Sequence, residues 1–348
     1  MLSDLNPHEK DGDTTFEPIK HVYMHVPTGK TFPTSVTSLI SPSFPSDFDK
    51  NKVIDTNFYK WANDRNHKYY AMIRYLELVE KKDTDDIKEA IKALWDAEGE
   101  VARNDGTDMH AELEDWMNGI HANEDAKHAY AVQNVECALK NSPFKNMDLR
   151  PYRTEFRVFL TVQVAHPQTP ERVHTILIVC GTIDALWWSN VLKQFIIVDW
   201  KRVNPQVKGL LGKEGDSKFT KMAKGRFSKF SNTEFHKYSL QLIIYKLILE
   251  RGGYLKPGQK IGALFLCQLH PCMERAHFVE ALSDMDEESA DEFEKAAGEL
   301  LDDYIETCKQ DELKRLDELE KTNEEKGEEE ETEEKDETER AFKEQKCE

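Results

Sequence analysis

The sequence predicts an α/β fold in which helices flank a mixed central β-sheet and a helical region precedes it. Three observations predict this class. Apolar residues recur at helical spacing over 57–139, short β-rich runs with polar breaks fill 153–202, and an apolar helix at 236–251 is followed by a buried strand at 261–269. Alternation of strands and helices is typical of a sheet covered on both faces.

The N-terminal part is predicted to begin without fixed structure. Residues 1–16 are polar and are expected to form a flexible leader. Residues 21–26 and the Pro-Thr-Gly-Lys that follows predict a hairpin with a glycine turn. Among the helices of 57–139, one is expected to open at Gly106 and to end near Gly119.

Strict alternation of apolar and polar residues over 153–164 predicts a half-buried strand. Phe156 begins the apolar series, and Glu155 is expected on the opposite face. A cross-strand ion pair with a neighbouring arginine would explain Glu155 as well as a functional role would.

The next two strands are predicted to form a hairpin that brings acidic residues together. A turn within 189–194 makes Asp184 and Asp199 equally distant from the hairpin centre. These two side chains should then face each other at about 5 Å. Lys201, two residues beyond Asp199, should lie on the same face of the sheet.

Two carboxylates that converge in a partly dry place repel each other unless a positive charge lies between them. A divalent cation meets this need, because Mg²⁺ takes one or two carboxylates and completes its shell with waters and substrate phosphate. Lys201 could orient or activate an attacking water beside such an ion. The alternative is a surface hairpin in which two aspartates and a lysine form an ordinary salt bridge.

Gly181-Thr-Ile-Asp184 followed by Asp199-Trp-Lys201 resembles the core of the PD-(D/E)XK nucleases, in the RecB-like form with aspartate before the lysine. Three further motifs occur in the family's order: Gly106-Thr-Asp-Met-His110, Glu155 in PYRTEFRV, and Gln241-Leu-Ile-Ile-Tyr245. The resemblance covers about 21–271. It is greatest to nucleases of large DNA viruses and to mitochondrial genome maintenance exonucleases.

The resemblance implies a restriction-endonuclease-like core and Mg²⁺- or Mn²⁺-dependent hydrolysis of DNA. The implied metal ligands are Asp184, Asp199, the Trp200 backbone carbonyl, His110 and Glu155, and Lys201 is the implied catalytic lysine. Gln241 and Tyr245 would contact substrate or steady the lysine, although a core tyrosine with a satisfied glutamine is the alternative. The RecB-like branch mostly trims ends, which favours an exonuclease on single-stranded or frayed DNA in replication, repair or recombination.

Charge is divided unevenly along the chain, whose formal net charge is −19. Residues 280–348 carry 30 acidic and 10 basic side chains, so the remainder is close to neutral. Residues 201–237 hold ten basic and three acidic side chains, a patch that suits a polyanion. The residues predicted to contact DNA, besides Gln241 and Tyr245, are Ser35, Thr37, Thr107, Arg202, Lys208, Lys221, Lys224 and Arg226. For Ser35 and Thr37, helix capping is the alternative.

Residues 17–310 are predicted to form the nuclease domain, with a helical part at about 55–140 and a catalytic core at about 150–310. Residues 311–348 are predicted to be an acidic low-complexity tail, disordered or a solvated helix. The six cysteines form no CxxC pair, so no zinc site is expected. In some of the RecB-like nucleases that this chain resembles, an iron–sulfur cluster is bound by one upstream cysteine and a tight downstream triplet. Cys267 and Cys272 do not reproduce that triplet, so no cluster is expected. Without a signal core or a long apolar run, an intracellular location, nuclear or cytoplasmic, and no membrane contact are expected.

Two other functions stay open at this point. The chain could be an endonuclease or flap-processing nuclease that works with a helicase or polymerase. It could also be a nucleic-acid-binding module without catalysis, although such a module has no need to keep two repelling carboxylates together.

Overall fold

A computed structural model describes residues 1–18, 20, 22–46, 48–120, 126–141, 144–165, 171–205 and 221–344, with side chains through residue 322. Within these ranges there are eight α-helices, a three-stranded antiparallel sheet and a five-stranded mixed sheet. The fold is therefore α/β, as predicted. Lys208, which was predicted to contact DNA, lies outside the described residues.

The elements have the following bounds. The helices are α1 (Leu2–Leu5), α2 (Val36–Ile40), α3 (Lys50–Asn63), α4 (Tyr70–Leu78), α5 (Thr84–Met117), α6 (Ala129–Leu139), α7 (Glu234–Arg251) and α8 (Glu287–Glu344). The strands are β1 (Thr14–Glu17), β2 (Val22–His25), β3 (Lys30–Thr31), β4 (Leu149–Ala165), β5 (Val173–Ser189), β6 (Gln194–Arg202), β7 (Ile261–Leu269) and β8 (His277–Glu280).

The central sheet has the order β4-β5-β6-β7-β8, and only β6 and β7 run parallel. Two parallel neighbours need a crossover connection, which includes α7. The β5–β6 hairpin pairs Ala185 with Val198 and Ser189 with Gln194. This register confirms the predicted hairpin centre, and the paired positions end at Ala185 and Val198, next to Asp184 and Asp199.

Both faces of the central sheet are covered by helices. One face packs against α2, α7 and the first turns of α8, and the other packs against α5 and α6. Helix α7 is buried around most of its circumference, including Leu240, Ile244 and Ile248, because it lies between the sheet and α8. Apolar burial on both sides holds the ends of β5 and β6 in place.

The helical region is confirmed, but one boundary was predicted wrongly. Helices α3, α4 and the first half of α5 enclose their own apolar cluster around Phe58 and Ile91. Helix α5 begins at Thr84 behind the N-cap Asp83, so Gly106 lies inside a 34-residue helix and does not open one. The glycine costs about 1 kcal/mol relative to alanine, but buried Met109 continues the helix against the sheet.

The predicted flexible leader is wrong, because residues 1–16 pack against the body of the protein. Leu2 is buried beside α5 and α6, and β1 pairs with β2 to add a strand to the predicted hairpin. Buried Arg153 donates hydrogen bonds of 2.9 and 2.8 Å to the two carboxylate oxygens of Asp11. The partner of Asp11 is far away in sequence, so local composition gave no sign of this contact.

The last helix is longer than predicted. The spacing of apolar residues predicts a helix over 290–309, whereas α8 extends from Glu287 to Glu344 and takes in most of the acidic tail. None of the helices described here combines the length and the apolar character that crossing a membrane requires.

We predict that Asp11→Asn destabilises the protein by about 1–3 kcal/mol, less than a fully buried pair because the Asp11 side chain is 33% exposed. The substitution leaves the Arg153 charge, only 8% exposed, without its counter-ion. Asp4→Asn is the control, since its 76% exposed side chain should change stability by less than about 0.5 kcal/mol. Equal denaturation midpoints for the two variants would contradict the account.

Replacement of the glycine by alanine in each of the two Gly-Thr motifs should change the stability of the protein in opposite directions. A Cβ at Gly181 would lie 2.7 Å from Cε1 of Tyr245 and 3.2 Å from Cγ2 of Val36, so Gly181→Ala should cost about 1–3 kcal/mol. A Cβ at Gly106 meets nothing within 4 Å, so Gly106→Ala should stabilise α5 by about 0.5–1 kcal/mol. Urea denaturation of both variants checks the difference in sign.

Candidate metal centre

Three side chains from three different elements converge at the end of the β5–β6 hairpin. His110 of α5, Glu155 of β4 and Asp184 of β5 each offer one ligand atom, and these atoms all lie within 4.8 Å of one another. We call these three residues the carboxylate–histidine cluster. All three residues were predicted from the sequence, and the structure brings them together.

His110 is oriented by the backbone of β6. Its Nε2 donates a hydrogen bond of 3.1 Å to the carbonyl oxygen of Trp200. A carbonyl only accepts, so this contact leaves Nδ1 facing Glu155 and Asp184, each at 3.7 Å. Metal-binding histidines are commonly held in this way through their second nitrogen.

The charge of His110 follows from its neighbours. Burial alone would lower the pKa of His110, but Asp184, Glu155 and Asp199 outweigh burial and raise this pKa to about 9. The ring is therefore an imidazolium at neutral pH. Its positive charge takes the place between the carboxylates that a metal ion would take.

Asp184 is held by both neighbouring strands. Its Oδ2 accepts a hydrogen bond of 2.8 Å from the backbone N–H of Trp200, and its backbone carbonyl accepts one of 3.1 Å from Thr154 Oγ1. Burial raises the pKa of Asp184; His110 opposes this rise and Glu155 adds to it. The Asp184 carboxylate is thus fixed in position, and the positive charge around it does not offset the effect of its burial.

Asp199 and Lys201 form an ion pair beside the cluster. Lys201 Nζ lies 2.6 Å from Asp199 Oδ2, off the direction of a well-aligned hydrogen bond. Burial raises the pKa of Asp199 to about 6, Lys201 opposes the rise and Asp184 adds to it. For Lys201, burial would lower the pKa, but Asp199 and Asp184 together raise it. Lys201 is therefore an ammonium here, and it also lies 4.4 Å from the centre of the Tyr238 ring.

Glu155 has an unusual backbone for a strand residue. Its φ is +44°, in the left-handed region that residues other than glycine seldom occupy. The neighbouring pairs Thr154–Ala185 and Phe156–Ile183 keep the β4–β5 register on either side. Backbone strain of this kind costs about 1–3 kcal/mol and is concentrated at functional sites. Here it coincides with the residue that adds the second carboxylate to the cluster.

The donor set of the cluster fits a divalent cation. Two carboxylates suit Mg²⁺ and Mn²⁺, and the imidazole favours Mn²⁺ of the two. Asp199 lies outside the group of three and is held by Lys201, while the Trp200 carbonyl already accepts the His110 hydrogen bond. Both predicted ligands thus have other partners: the Trp200 carbonyl orients His110, and Asp199 pairs with Lys201.

A cleft of about 410 Å³ opens onto the cluster. Its lining consists of Gly106, Thr107, His110, Ala111, Glu114 and Glu155. Thr107, which was predicted to contact substrate, is exposed at the cleft, and its hydroxyl donates to the Arg103 carbonyl within α5. The cluster can therefore be reached from solvent.

Gln241 and Tyr245 do not line this cleft, and direct contact with substrate was the wrong expectation for them. Both side chains are buried, and Gln241 Nε2 donates to the Tyr245 hydroxyl at 3.3 Å. The Tyr245 ring packs against Gly181, which has no side chain. Burial raises the pKa of Tyr245, and the nearby Asp199 and Asp184 contribute. Gln241 and Tyr245 thus form part of the packing beneath the carboxylates of Asp184 and Asp199.

Ser35 caps a helix, as the alternative interpretation held. Its side chain accepts a hydrogen bond from the backbone N–H of Ser38 at the start of α2. Its hydroxyl also lies 3.0 Å from Thr37 Oγ1. The hydroxyl of Thr37, an exposed residue, is thus within hydrogen-bond distance of the capping residue.

The basic stretch is largely neutralised where it is described. Arg226 pairs with Glu299 and Asp303 of α8, and Arg202 pairs with Asp105 at 2.7 Å. These acidic partners lie about 70–100 residues away in sequence, so the count of local charges did not reveal them. Lys221 and Lys224 have exposed side chains. Arg226, which was predicted to contact DNA, is therefore paired with acidic side chains of α8.

Three neighbours of the site were not predicted. Glu114 lines the cleft, and burial, Glu155 and Asp115 raise its pKa. Its position one turn after His110 was the signal that could have identified it. Tyr238, under Lys201, lies one turn before Gln241, whereas Thr154 gave no signal beyond its place next to Glu155.

Comparison with known proteins adds no identification. No family model matches the chain, and no curated protein does. A solved structure of the protein SSO0001 is 13% identical, with 80% of this chain and 78% of that one covered, at a TM-score of 0.26. A similarity of this size carries no argument about fold or function.

We predict that Mn²⁺ binding at the cluster releases a proton, because His110 carries one at neutral pH and must lose it to bind through Nδ1. Affinity should rise about tenfold per pH unit from pH 7 and level off near pH 9. Calorimetry in two buffers of different ionisation enthalpy measures the proton. His110→Ala should abolish the release, and a pH-independent affinity of the unaltered protein would contradict this assignment.

Proposed function

We propose that this chain is a metal-dependent deoxyribonuclease that hydrolyses DNA phosphodiester bonds and acts as an exonuclease on single-stranded or frayed ends. We also propose a restriction-endonuclease-like arrangement for its central sheet. The observation that carries the proposal is the convergence of His110, Glu155 and Asp184 on one point, with the Asp199–Lys201 ion pair beside them and an open cleft in front.

Three features of this arrangement support hydrolysis rather than a structural salt bridge. Asp184 and Asp199 are buried, and the positive charge near them is too small to offset the cost of burial. The raised pKa values of both carboxyl groups follow from this. Glu155 is held in a strained backbone conformation. The cluster borders solvent, whereas a purely structural ion pair gains nothing from a cleft.

The residues of the site would have distinct roles. A divalent ion held by His110, Glu155 and Asp184 would supply Lewis-acid stabilisation of charge on a phosphate oxygen. Trp200 orients two of these ligands, because its N–H donates to Asp184 and its carbonyl accepts from His110. The Lys201 ammonium, held by Asp199, donates hydrogen bonds that position an attacking water or the phosphate.

DNA ends are proposed as the substrate because the chain resembles RecB-like nucleases. Five motifs, which occur in the order typical of that family, carry this resemblance. Within the described residues, the chain's own contribution to substrate binding is Thr107 at the cleft and the exposed Lys221 and Lys224. Helicase or polymerase partnership is a further implication of the resemblance.

Asp199→Asn should reduce cleavage of labelled single-stranded DNA at least about hundredfold, since it removes the anion that holds Lys201. Binding of the same strand should change little. Glu155→Gln is a second variant, because its 35% exposed side chain makes misfolding less of a concern. Asp55→Asn, on the surface of α3 with a 60% exposed side chain, is the matched control and should keep full activity.

Cleavage that survives both Asp199→Asn and Glu155→Gln in folded protein would overturn the proposed site. The exonuclease assignment has its own test, digestion of end-labelled linear strands beside covalently closed circles. Linear strands should shorten from their ends while circles persist, and efficient cutting of circles would instead indicate an endonuclease.

A further inference from the structure

A second group of ligand atoms lies near the middle of α5, separate from the carboxylate–histidine cluster. Asp105, Asp108 and His128 each offer one atom, all within 4.8 Å of one another. Asp105 and Asp108 belong to α5, and His128 is the residue that precedes the first turn of α6. Acidic residues alone do not make a metal site, and the distinguishing feature of this group is its histidine.

His128 is buried and lacks hydrogen-bond partners. The residue is 4% exposed, and among the described residues neither ring nitrogen has a partner. Its Nε2 lies 3.9 Å from Asp105 Oδ1, which is longer than a hydrogen bond. A buried ring with both nitrogens unpaired destabilises the fold unless something occupies the space beside it.

The state of the ring suits a metal ligand. Burial lowers the pKa of His128; Asp105 opposes this change, and Lys127 and Arg202 add to it. The ring is therefore neutral at physiological pH, the form in which histidine binds metals.

The carboxylate of Asp105 is already oriented and attracts cations. Arg202 Nη2 holds its Oδ2 at 2.7 Å. Its other oxygen, Oδ1, is the one next to His128, and the Lys127 ammonium contacts it. The Lys127 side chain is 68% exposed, so it can move into water at small cost. Lys127 thus takes the place of a cation at a position from which it is easily displaced.

We propose that Asp105, Asp108 and His128 bind a divalent transition-metal ion, for which Zn²⁺ is the appropriate probe, in competition with the Lys127 ammonium. As in the carboxylate–histidine cluster, one imidazole and two carboxylates suit a transition-metal ion better than Mg²⁺ or Ca²⁺, which favour oxygen ligands, and zinc accepts this donor set. The ion joins the middle of α5 to the start of α6. Through Asp105 and Arg202 it also fixes the end of β6, one residue after Lys201.

The test uses the full-length chain with Glu155→Gln and Asp184→Asn, which removes two ligands of the other cluster. Failure of the proposed nuclease activity therefore has no bearing on the result. Zn²⁺ titration by calorimetry in this background should show one site. His128→Ala and Asp108→Asn should each weaken it at least about tenfold, and Asp115→Asn, an exposed carboxylate on the same helix, should leave it unchanged.

Lys127→Gln gives a result in the opposite direction. Removal of the competing ammonium should tighten Zn²⁺ binding about two- to fivefold, the range expected for an exposed ion pair. Long-range ¹H–¹⁵N spectra should show the His128 ring signals shift as Zn²⁺ is added, a readout that does not depend on whether a variant folds. Unshifted His128 signals, or Zn²⁺ affinity that neither Asp108→Asn nor Lys127→Gln changes, would overturn the proposal.

Discussion

The charges of the candidate metal centre are arranged around the repulsion between carboxylates at the end of the β5–β6 hairpin. Asp184, Asp199 and Glu155 bring three negative charges to one place, and the imidazolium of His110 and the ammonium of Lys201 balance two of them. A divalent ion that replaces the His110 proton would bring the group to neutrality, with Lys201 still charged. Exchange of the His110 proton for one divalent cation would thus remove the one negative charge that remains.

The geometry of the site depends on one peptide group and one side chain. Trp200 has its ring buried between Trp187 and the helices that cover that face of the sheet. This packing fixes the backbone on either side, so the N–H reaches Asp184 and the carbonyl reaches His110. Apolar packing of a tryptophan therefore sets the separation of His110 and Asp184, the two proposed metal ligands that its peptide groups contact. Glu155 reaches the same point only through a strained backbone, which the surrounding paired strands stabilise.

Sequence reasoning succeeded where the relevant contact is local or periodic. The hairpin register followed from the equal distances of Asp184 and Asp199 from a turn, and α7 and β7 followed from apolar runs. It failed where a contact joins distant segments. Asp11 meets Arg153, Arg226 meets α8, and Tyr245 packs against Gly181; none of these pairings leaves a trace in local composition. The left-handed backbone conformation of Glu155 could not be predicted from the sequence either, since strict alternation predicts an ordinary strand there.

The most direct measurement of the central claim is the position of Mn²⁺ in crystals of the protein, located by its anomalous scattering. The account predicts a peak within bonding distance of His110 Nδ1 and of oxygens from Glu155 and Asp184. It also predicts that Lys201 stays paired with Asp199. A fully occupied Mn²⁺ elsewhere, with the His110 ring still contacting both carboxylates, would contradict it.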